Sequence, residues 1–349
     1  MSSRDWLPRD GDTVVTQENL IFNVFGYEHP KEHVISFPKY IPLKFKDIFG
    51  IRFLKRIWSF NGLEMIRAEK LYTAENYQAF LKTFRMNFPD YVYFCPLRGK
   101  EIISVPLSHV KKVFIPNECL KTLIRSKSRD ELQETAIELI QLISDESGVP
   151  IEDFGIHGSI ALNMHSKESD IDFVIYGGRN FRRIEAAVDN LVKEKVLSYI
   201  FKNRLDIARR YKGRYRGKVF MYNAVRKLNE ITTKYGEYVY IPIAPVKFRC
   251  KIKDDSEAMF RPAIYRIENY TPIDDKSEIP KEITPKIVVS MIGCYRNIAR
   301  KHDEIKVSGM LERVKNAETG EIFYQVVVGT AVNREEYICP IRNLETEMP

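Results

Sequence analysis

Asp170 and Asp172 are separated by one isoleucine inside the stretch "SDIDFVIYGG". In an extended strand, residues two apart share a face. Both carboxylates therefore project together, while Ile171 and Phe173 turn toward a core. Like charges on one face repel unless a cation lies between them. An oxygen-only, partly open site suits Mg²⁺, which takes one or two protein carboxylates and leaves its other positions to water and phosphate oxygens. A pair of such ions is the usual clamp for in-line displacement at phosphorus. Shortly upstream lies Gly158-Ser159. A glycine there permits a tight turn and a close approach of backbone to ligand. If "SIALNMH" opens a short helix, its free N–H groups form an anion site, and the Ser159 hydroxyl adds a donor. Phosphates on the Gly-Ser turn and metal on the Asp pair would suit a nucleoside triphosphate.

The elements around this stretch are readable. Residues 128–147 have helical spacing of Leu132, Ala136, Leu139, Ile140 and Ile143. Ser128 and Glu131 read as a capping box, and Gly148 and Pro150 as the stop. Downstream, Ile184, Ala187, Val188, Leu191 and Val192 mark a second amphipathic helix. The order is helix, strand with Gly-Ser, strand with Asp-x-Asp, helix. "KNRLDIARRYKGRYRGKVFMYNAVRK" then reads as helical with a basic, glycine-containing break, and residues 237–269 as strands.

Together these features resemble the nucleotidyltransferase superfamily of DNA polymerase beta-like enzymes. That signature is a hydrophobic residue with Gly and Gly/Ser, a short helix, then Ser/Thr-Asp-x-Asp in a strand. Here it is matched by Ile156-His157-Gly158-Ser159 and by Ser169-Asp170-Ile171-Asp172-Phe173-Val174. The resemblance covers roughly residues 128–260. It implies an α+β fold: a central mixed sheet with helices, transferring a nucleotide onto a hydroxyl with two Mg²⁺ ions. Asp170 and Asp172 would hold the metal; Gly158, Ser159 and Ser169 would bind the nucleotide. The flanking regions resemble those of uncharacterised archaeal proteins predicted to be nucleotidyltransferases. Archaeal tRNA-tailing enzymes share the motif, but the first 120 residues do not look like theirs.

Active members of that family usually carry a third carboxylate on a neighbouring strand. The expected strand is "PVKFRCKIKDD", where no acid appears before Asp254-Asp255. Asp254, whose parity matches the apolar positions, is the expected third catalytic residue, with Glu237 second. A chain without that acid would be a catalytically weak nucleotide- or RNA-binding module on the same fold. His157 and His165 lack metal-ligand spacing and read as packing or surface residues. Lys167 reads as a surface loop lysine. Arg209, Arg210, Lys212, Arg214 and Arg216, interleaved with Tyr211 and Tyr215, could line a groove for a phosphate backbone, although charge runs are commonly solvated faces.

The remaining chain frames this core. Its 349 residues are too many for one core, so several domains are expected. Residues 1–120 read as a β-rich domain of unreadable role with a helix at "NYQAFLKTFRMNFP", and 121–268 as the nucleotidyltransferase domain. The Pro- and charge-rich 269–286 reads as a linker, and 287–349 as a small antiparallel, barrel-like β domain. A net charge of +8 favours an acidic partner, with RNA the preferred acceptor. The five scattered cysteines form no metal clip and suit a reducing compartment. No apolar run is long enough for a membrane span. The expectation is a cytoplasmic enzyme using Mg²⁺ and an NTP, with no membrane partner. Base preference, protein partners and oligomeric state are not encoded legibly.

Overall fold

A computed structural model describes residues 6–71, 73–330 and 335–341. The ends of the chain that the domain reading included, 1–5 and 342–349, lie outside them. Eight short strands open the chain: β1 (Thr13–Thr16), β2 (Ile21–Val24), β3 (His33–Pro42), β4 (Trp58–Phe60), β5 (Leu63–Ile66), β6 (Val92–Cys95), β7 (Lys100–Pro106) and β8 (Val110–Phe114). They pair in the order β4-β5-β3-β2-β1-β8, with β7 on β3 and β6 on β7. Helix α1 (Ala74–Asn87) lies between β5 and β6 in sequence. The Thr73 side chain accepts from the Asn76 N–H and caps it. Phe80 and Phe84, one turn apart, are buried with Phe22, Phe37 and Tyr91.

The central unit runs through α2 (Pro116–Arg125), α3 (Glu131–Ser147), β9 (Phe154–His157), α4 (Gly158–Ala161), β10 (Ile171–Tyr176), α5 (Gly178–Lys193), β11 (Ser198–Tyr199), α6 (Arg204–Arg209), β12 (Lys212–Tyr215) and β13 (Lys218–Val225). Its sheet has the order β11-β12-β13-β10-β9, and only β10 and β13 are parallel. The apolar positions of α3 and α5 are buried against Phe154, Ile156, Ile171 and Phe173 from the inner face of β9 and β10. The alternation of "DIDFVIY" therefore divides one strand between a core and a cleft.

Two local readings need correction. The capping box of α3 is formed by Asp130 and Gln133, not by Ser128 and Glu131. The basic stretch after residue 203 is helical only as far as Arg209. It continues as the antiparallel hairpin β12–β13. Arg216 and Gly217 at its tip both have positive φ, 44° and 78°. That is the backbone of a tight two-residue hairpin turn, which overrides the helix-forming composition of the flanks.

The last six strands are β14 (Tyr238–Glu257), β15 (Ala263–Pro272), β16 (Ile287–Ser290), β17 (Glu304–Asn316), β18 (Ile322–Val328) and β19 (Tyr337–Pro340). Pairing runs β14-β15-β16-β18-β17 and returns from β17 to β14, with β19 added on β17. One pair, β16–β18, is parallel, so the sheet is not wholly antiparallel as expected. Residues 238–272, expected in the central domain and its linker, pair with these later strands instead. The proposed linker is also packed: Ser277 is buried and its hydroxyl accepts from the Lys247 N–H at 2.7 Å.

Both flanking units are anchored on the central one. Val15, Ile21, Tyr40, Trp58, Phe60 and Met65 form one cluster with Leu162 and Met164, just beyond α4. Met259 and Phe260 of the last unit enter the core of α3 and α5. Burial of several such side chains, each contributing about 1.5–3 kcal/mol, joins the N-terminal sheet to the loop that follows the Gly-Ser turn.

Candidate active site

Asp172 on β10 lies opposite His157 on β9 and Met221 on β13. Its carboxylate faces a cleft of about 630 Å³ that is also lined by Ser159, Ser169 and Asp170. Gly158 begins α4 at φ +69°, and a Cβ there would lie 2.3 Å from Asp172 Oδ2. Only glycine leaves room for the turn to fold over the carboxylate. Ser159 follows it and is buried at the cleft wall. The expected Gly-Ser turn and Asp pair thus meet in one cavity.

The charges of the two carboxylates are unevenly compensated. Burial raises Asp172 to about 6, with Asp170 adding to the rise and Lys39, Arg67 and Lys212 opposing it. Asp170 lies nearer solvent, with Lys212 Nζ at 3.7 Å. Ser169 Oγ accepts from the Ser166 N–H at 3.0 Å and from Arg56 Nη2 at 3.3 Å. It shapes the loop before β10 and tethers an arginine of the N-terminal unit there.

The expected third carboxylate is not in this cleft. Asp254 lines a different one, with Arg182, Arg226 and Glu257. Its Oδ1 accepts from the Ser256 N–H at 2.9 Å, which is the main reason its pKa is lowered. Glu237 Oε2 accepts from the Lys234 N–H, and Glu237 lines neither cleft. The strand beside β10 is β13, not β14. Its cleft-lining residues are Met221, Asn223 and Val225. Asn223 Oδ1 accepts from Arg209 Nη2 at 2.6 Å.

The basic residues named from the sequence separate. Arg209 is buried in the cleft, its guanidinium 3.7 Å from the centroid of the Tyr211 ring. Lys212 reaches Asp170. Arg210 lies 3.7 Å from Asp189, Arg214 donates to the Gly217 carbonyl, and Arg216 pairs with Glu138, all outside the cleft. His165 bonds to Asp130 at the start of α3. His157 lines the cleft and is held neutral, its pKa depressed to about 3 by burial and by Lys39, Arg261 and Arg296.

Sequence reasoning missed what the flanking units contribute. Lys39, Arg56, Arg67 and Lys70 enter the cleft from the N-terminal unit, and Arg261 and Arg296 from the C-terminal one. Lys39 carried a signal like that of the Asp pair: a lone charge in the apolar strand "ISFPKYIP". It is buried, and burial lowers its pKa to about 8 against the pull of Asp172.

Over 342 residues the chain is 30% identical to uncharacterized protein MJ1086 of Methanocaldococcus jannaschii, covering 91% of this chain and 94% of that protein. A family model described as nucleotidyltransferase domain matches residues 136–235, which include the turn and both aspartates. The chain belongs to the nucleotidyltransferase superfamily. The likeness to the archaeal relative extends through both flanking units of this nucleotidyltransferase. No solved structure matches the chain.

Whether the nucleotidyltransferase cleft suits Mg²⁺ can be judged from its donors. Asp170 and Asp172 offer only oxygen on one face, the Asp170 charge helps raise Asp172, and Gly158 leaves the space above Asp172 open to no side chain of its own. Among the described residues no group of three or more His, Cys, Asp or Glu is placed to hold a metal ion. The two carboxylates fit an ion that completes its shell with water and phosphate oxygens. No helix among the described residues is long and apolar enough to cross a membrane.

Proposed function

We propose that this chain is a Mg²⁺-dependent nucleotidyltransferase that moves an NMP from an NTP to a hydroxyl acceptor, RNA being favoured. The observation that carries this reading is the meeting of Gly158, Ser159, Asp170 and Asp172 in one cleft ringed by cations. Asp170 and Asp172 hold the metal, two ions being the family expectation. Bound Mg²⁺ supplies charge neutralisation at the phosphates and activation of the attacking oxygen. Gly158 leaves space for the triphosphate, and the Ser159 hydroxyl donates to a phosphate oxygen. Ser169 acts through Arg56, which it orients toward the same phosphates. Lys212 offsets charge at Asp170 when the site is empty and at the leaving pyrophosphate when it is full. The acceptor hydroxyl attacks the α-phosphate and pyrophosphate departs, with positioning and electrostatics supplying the rate.

RNA is favoured because the exposed hairpin carrying Arg214, Tyr215 and Arg216 continues from Lys212 at the cleft edge. Arginines with a neighbouring ring offer phosphate contacts and a stacking surface. The five free cysteines suit a reducing cytoplasm.

A second reading is a catalytically weak nucleotide- or RNA-binding module. It is favoured by one observation: the cleft-lining residues of β13 are Met221, Asn223 and Val225, none of them an acid. One assay separates the two. Labelled NTPs, Mg²⁺ and total RNA are incubated with wild type and with Asp170→Asn/Asp172→Asn. Label transfer that disappears in the double variant supports the enzyme. Intact NTP and RNA binding with no transfer from any NTP leaves only the binding module.

A further inference from the structure

Three arginines of the cleft form a cluster apart from the Asp pair. Arg209 comes from α6, Arg261 precedes β15, and Arg296 lies in the loop after β16. All three line the cleft and all are buried, at 7, 8 and 6% exposure. Arg261 and Arg296 converge on Gly293: a Cβ there would lie 3.2 Å from Arg261 Nη2 and 3.8 Å from Arg296 Nη2. They share one counter-ion, Asp10 of the N-terminal unit, which is also buried. Asp10 Oδ1 is 3.4 Å from Arg261 Nη1, and Oδ2 is 3.4 Å from Arg296 Nη1. Both distances are long for a charge-assisted hydrogen bond.

The cluster is under-satisfied as it stands. Arg296 Nε and Asp10 Oδ1 are buried without a hydrogen-bond partner among the described residues. Buried polar atoms are almost always paired, and an exception in a cleft calls for a ligand. Charge gives the same indication. Three guanidinium groups face one carboxylate, and the neighbouring His157 is neutral, so two positive charges are uncompensated. The mutual repulsion is visible at Arg296, whose pKa falls to about 9 through burial and through Arg261 and Arg209.

We propose that Arg209, Arg261 and Arg296 form a subsite for a phosphate-monoester dianion on a substrate of the transfer reaction, separate from the Gly158-Ser159 turn. Two uncompensated charges match a dianion, and planar guanidinium forks match phosphate oxygens. Neither a carboxylate nor a neutral group meets both requirements. The proposal deepens the nucleotidyl-transfer reading and rests on it for the source of the phosphate, which is either the acceptor or the terminal phosphate of the NTP.

Inorganic phosphate is the probe, titrated calorimetrically into the full chain at pH 7.5 against chloride of equal ionic strength. Arg296→Gln is expected to weaken phosphate binding by roughly ten- to a hundredfold, as loss of a charged hydrogen bond implies. Asp10→Asn removes the internal competitor, so phosphate is expected to bind more tightly and to raise Tm more than in wild type. That gain cannot come from misfolding. Equal phosphate affinity in wild type and Arg296→Gln, or weaker binding in Asp10→Asn, overturns the subsite. Titrating NTP with Mg²⁺ into phosphate-saturated protein then finds the source. Unchanged NTP affinity assigns the dianion to the acceptor, and competition assigns it to the triphosphate. If NTP fails to bind while phosphate binding still depends on Arg296, the nucleotidyl-transfer reading falls and the anion site stands. If NTP binds and Arg296→Gln leaves phosphate binding unchanged, only the subsite falls.

Discussion

Two clefts lie against the central sheet, and both are lined by arginines and carboxylates. In the smaller, of about 350 Å³, opposite charges meet at hydrogen-bond distance. Arg226 donates to both carboxylate oxygens of Glu257 at 2.7 Å, and Arg182 reaches Asp255 at 2.6 Å. Glu230 accepts from the Gly178 and Lys227 N–H groups. In the larger cleft the contacts are long: Lys212 to Asp170 at 3.7 Å, and Arg261 and Arg296 to Asp10 at 3.4 Å. The same residue types fasten the C-terminal unit to the core in one place and await ligands in the other. Paired charges add to structure, whereas buried charges left short of partners cost stability and mark a site.

The strongest way to break this comparison is at the Asp pair. Asp170→Asn/Asp172→Asn is expected to lower transfer by about three orders of magnitude, the scale of losing several kcal/mol of charge stabilisation. Its Tm is expected to hold or rise, because two like charges are relieved. A double variant that melts well below wild type would give the pair a structural role like that of the smaller cleft. Gly158→Ala should come next. It forces a Cβ against Asp172 at φ +69°, so denaturant melts are expected to show a loss of roughly 1–3 kcal/mol. Nucleotide affinity should drop with it.

The smaller cleft should answer in the opposite way. Glu257→Gln breaks a two-pronged contact to a buried arginine, so stability is expected to fall by about 1–3 kcal/mol while NTP affinity stays unchanged. Parallel denaturation and calorimetry check both halves. The smallest effect is expected for Asp254→Asn. Its carboxylate bonds only to nearby Ser256 and lies 3.9 Å from Arg266, so stability should move by about 0.5 kcal/mol or less and transfer should match wild type. A Asp254→Asn protein that binds NTP but transfers no label would restore the expected third carboxylate.

The parts of the site that were legible in the sequence are those set by local geometry. Alternation along β10 puts Asp170 and Asp172 on one face, and Gly158-Ser159 lies one turn of chain from the start of α4. Helices α3 and α5 were legible by period. What failed were choices between competing local signals or between strands. "RYRGK" has helix-forming flanks, yet its Arg216-Gly217 turn closes a hairpin. "PVKFRCKIKDD" alternates as a sheet neighbour should, but the parallel partner of β10 is β13, and β14 pairs with β15 and β17. Strand alternation states that a residue has a face. It does not state which strand lies alongside.

By itself the sequence determined that two carboxylates and a Gly-Ser turn would stand ready for phosphate and metal, because spacing of two in a strand and a glycine at a positive φ are properties of neighbouring residues. Only the tertiary structure decided what surrounds them. Arg56 bonds to Ser169 across 113 residues, and Asp10 meets Arg296 across 286. Such contacts depend on how three sheets dock, and docking follows from apolar clusters such as Trp58 with Leu162, whose positions carry no mark of the charges they bring together.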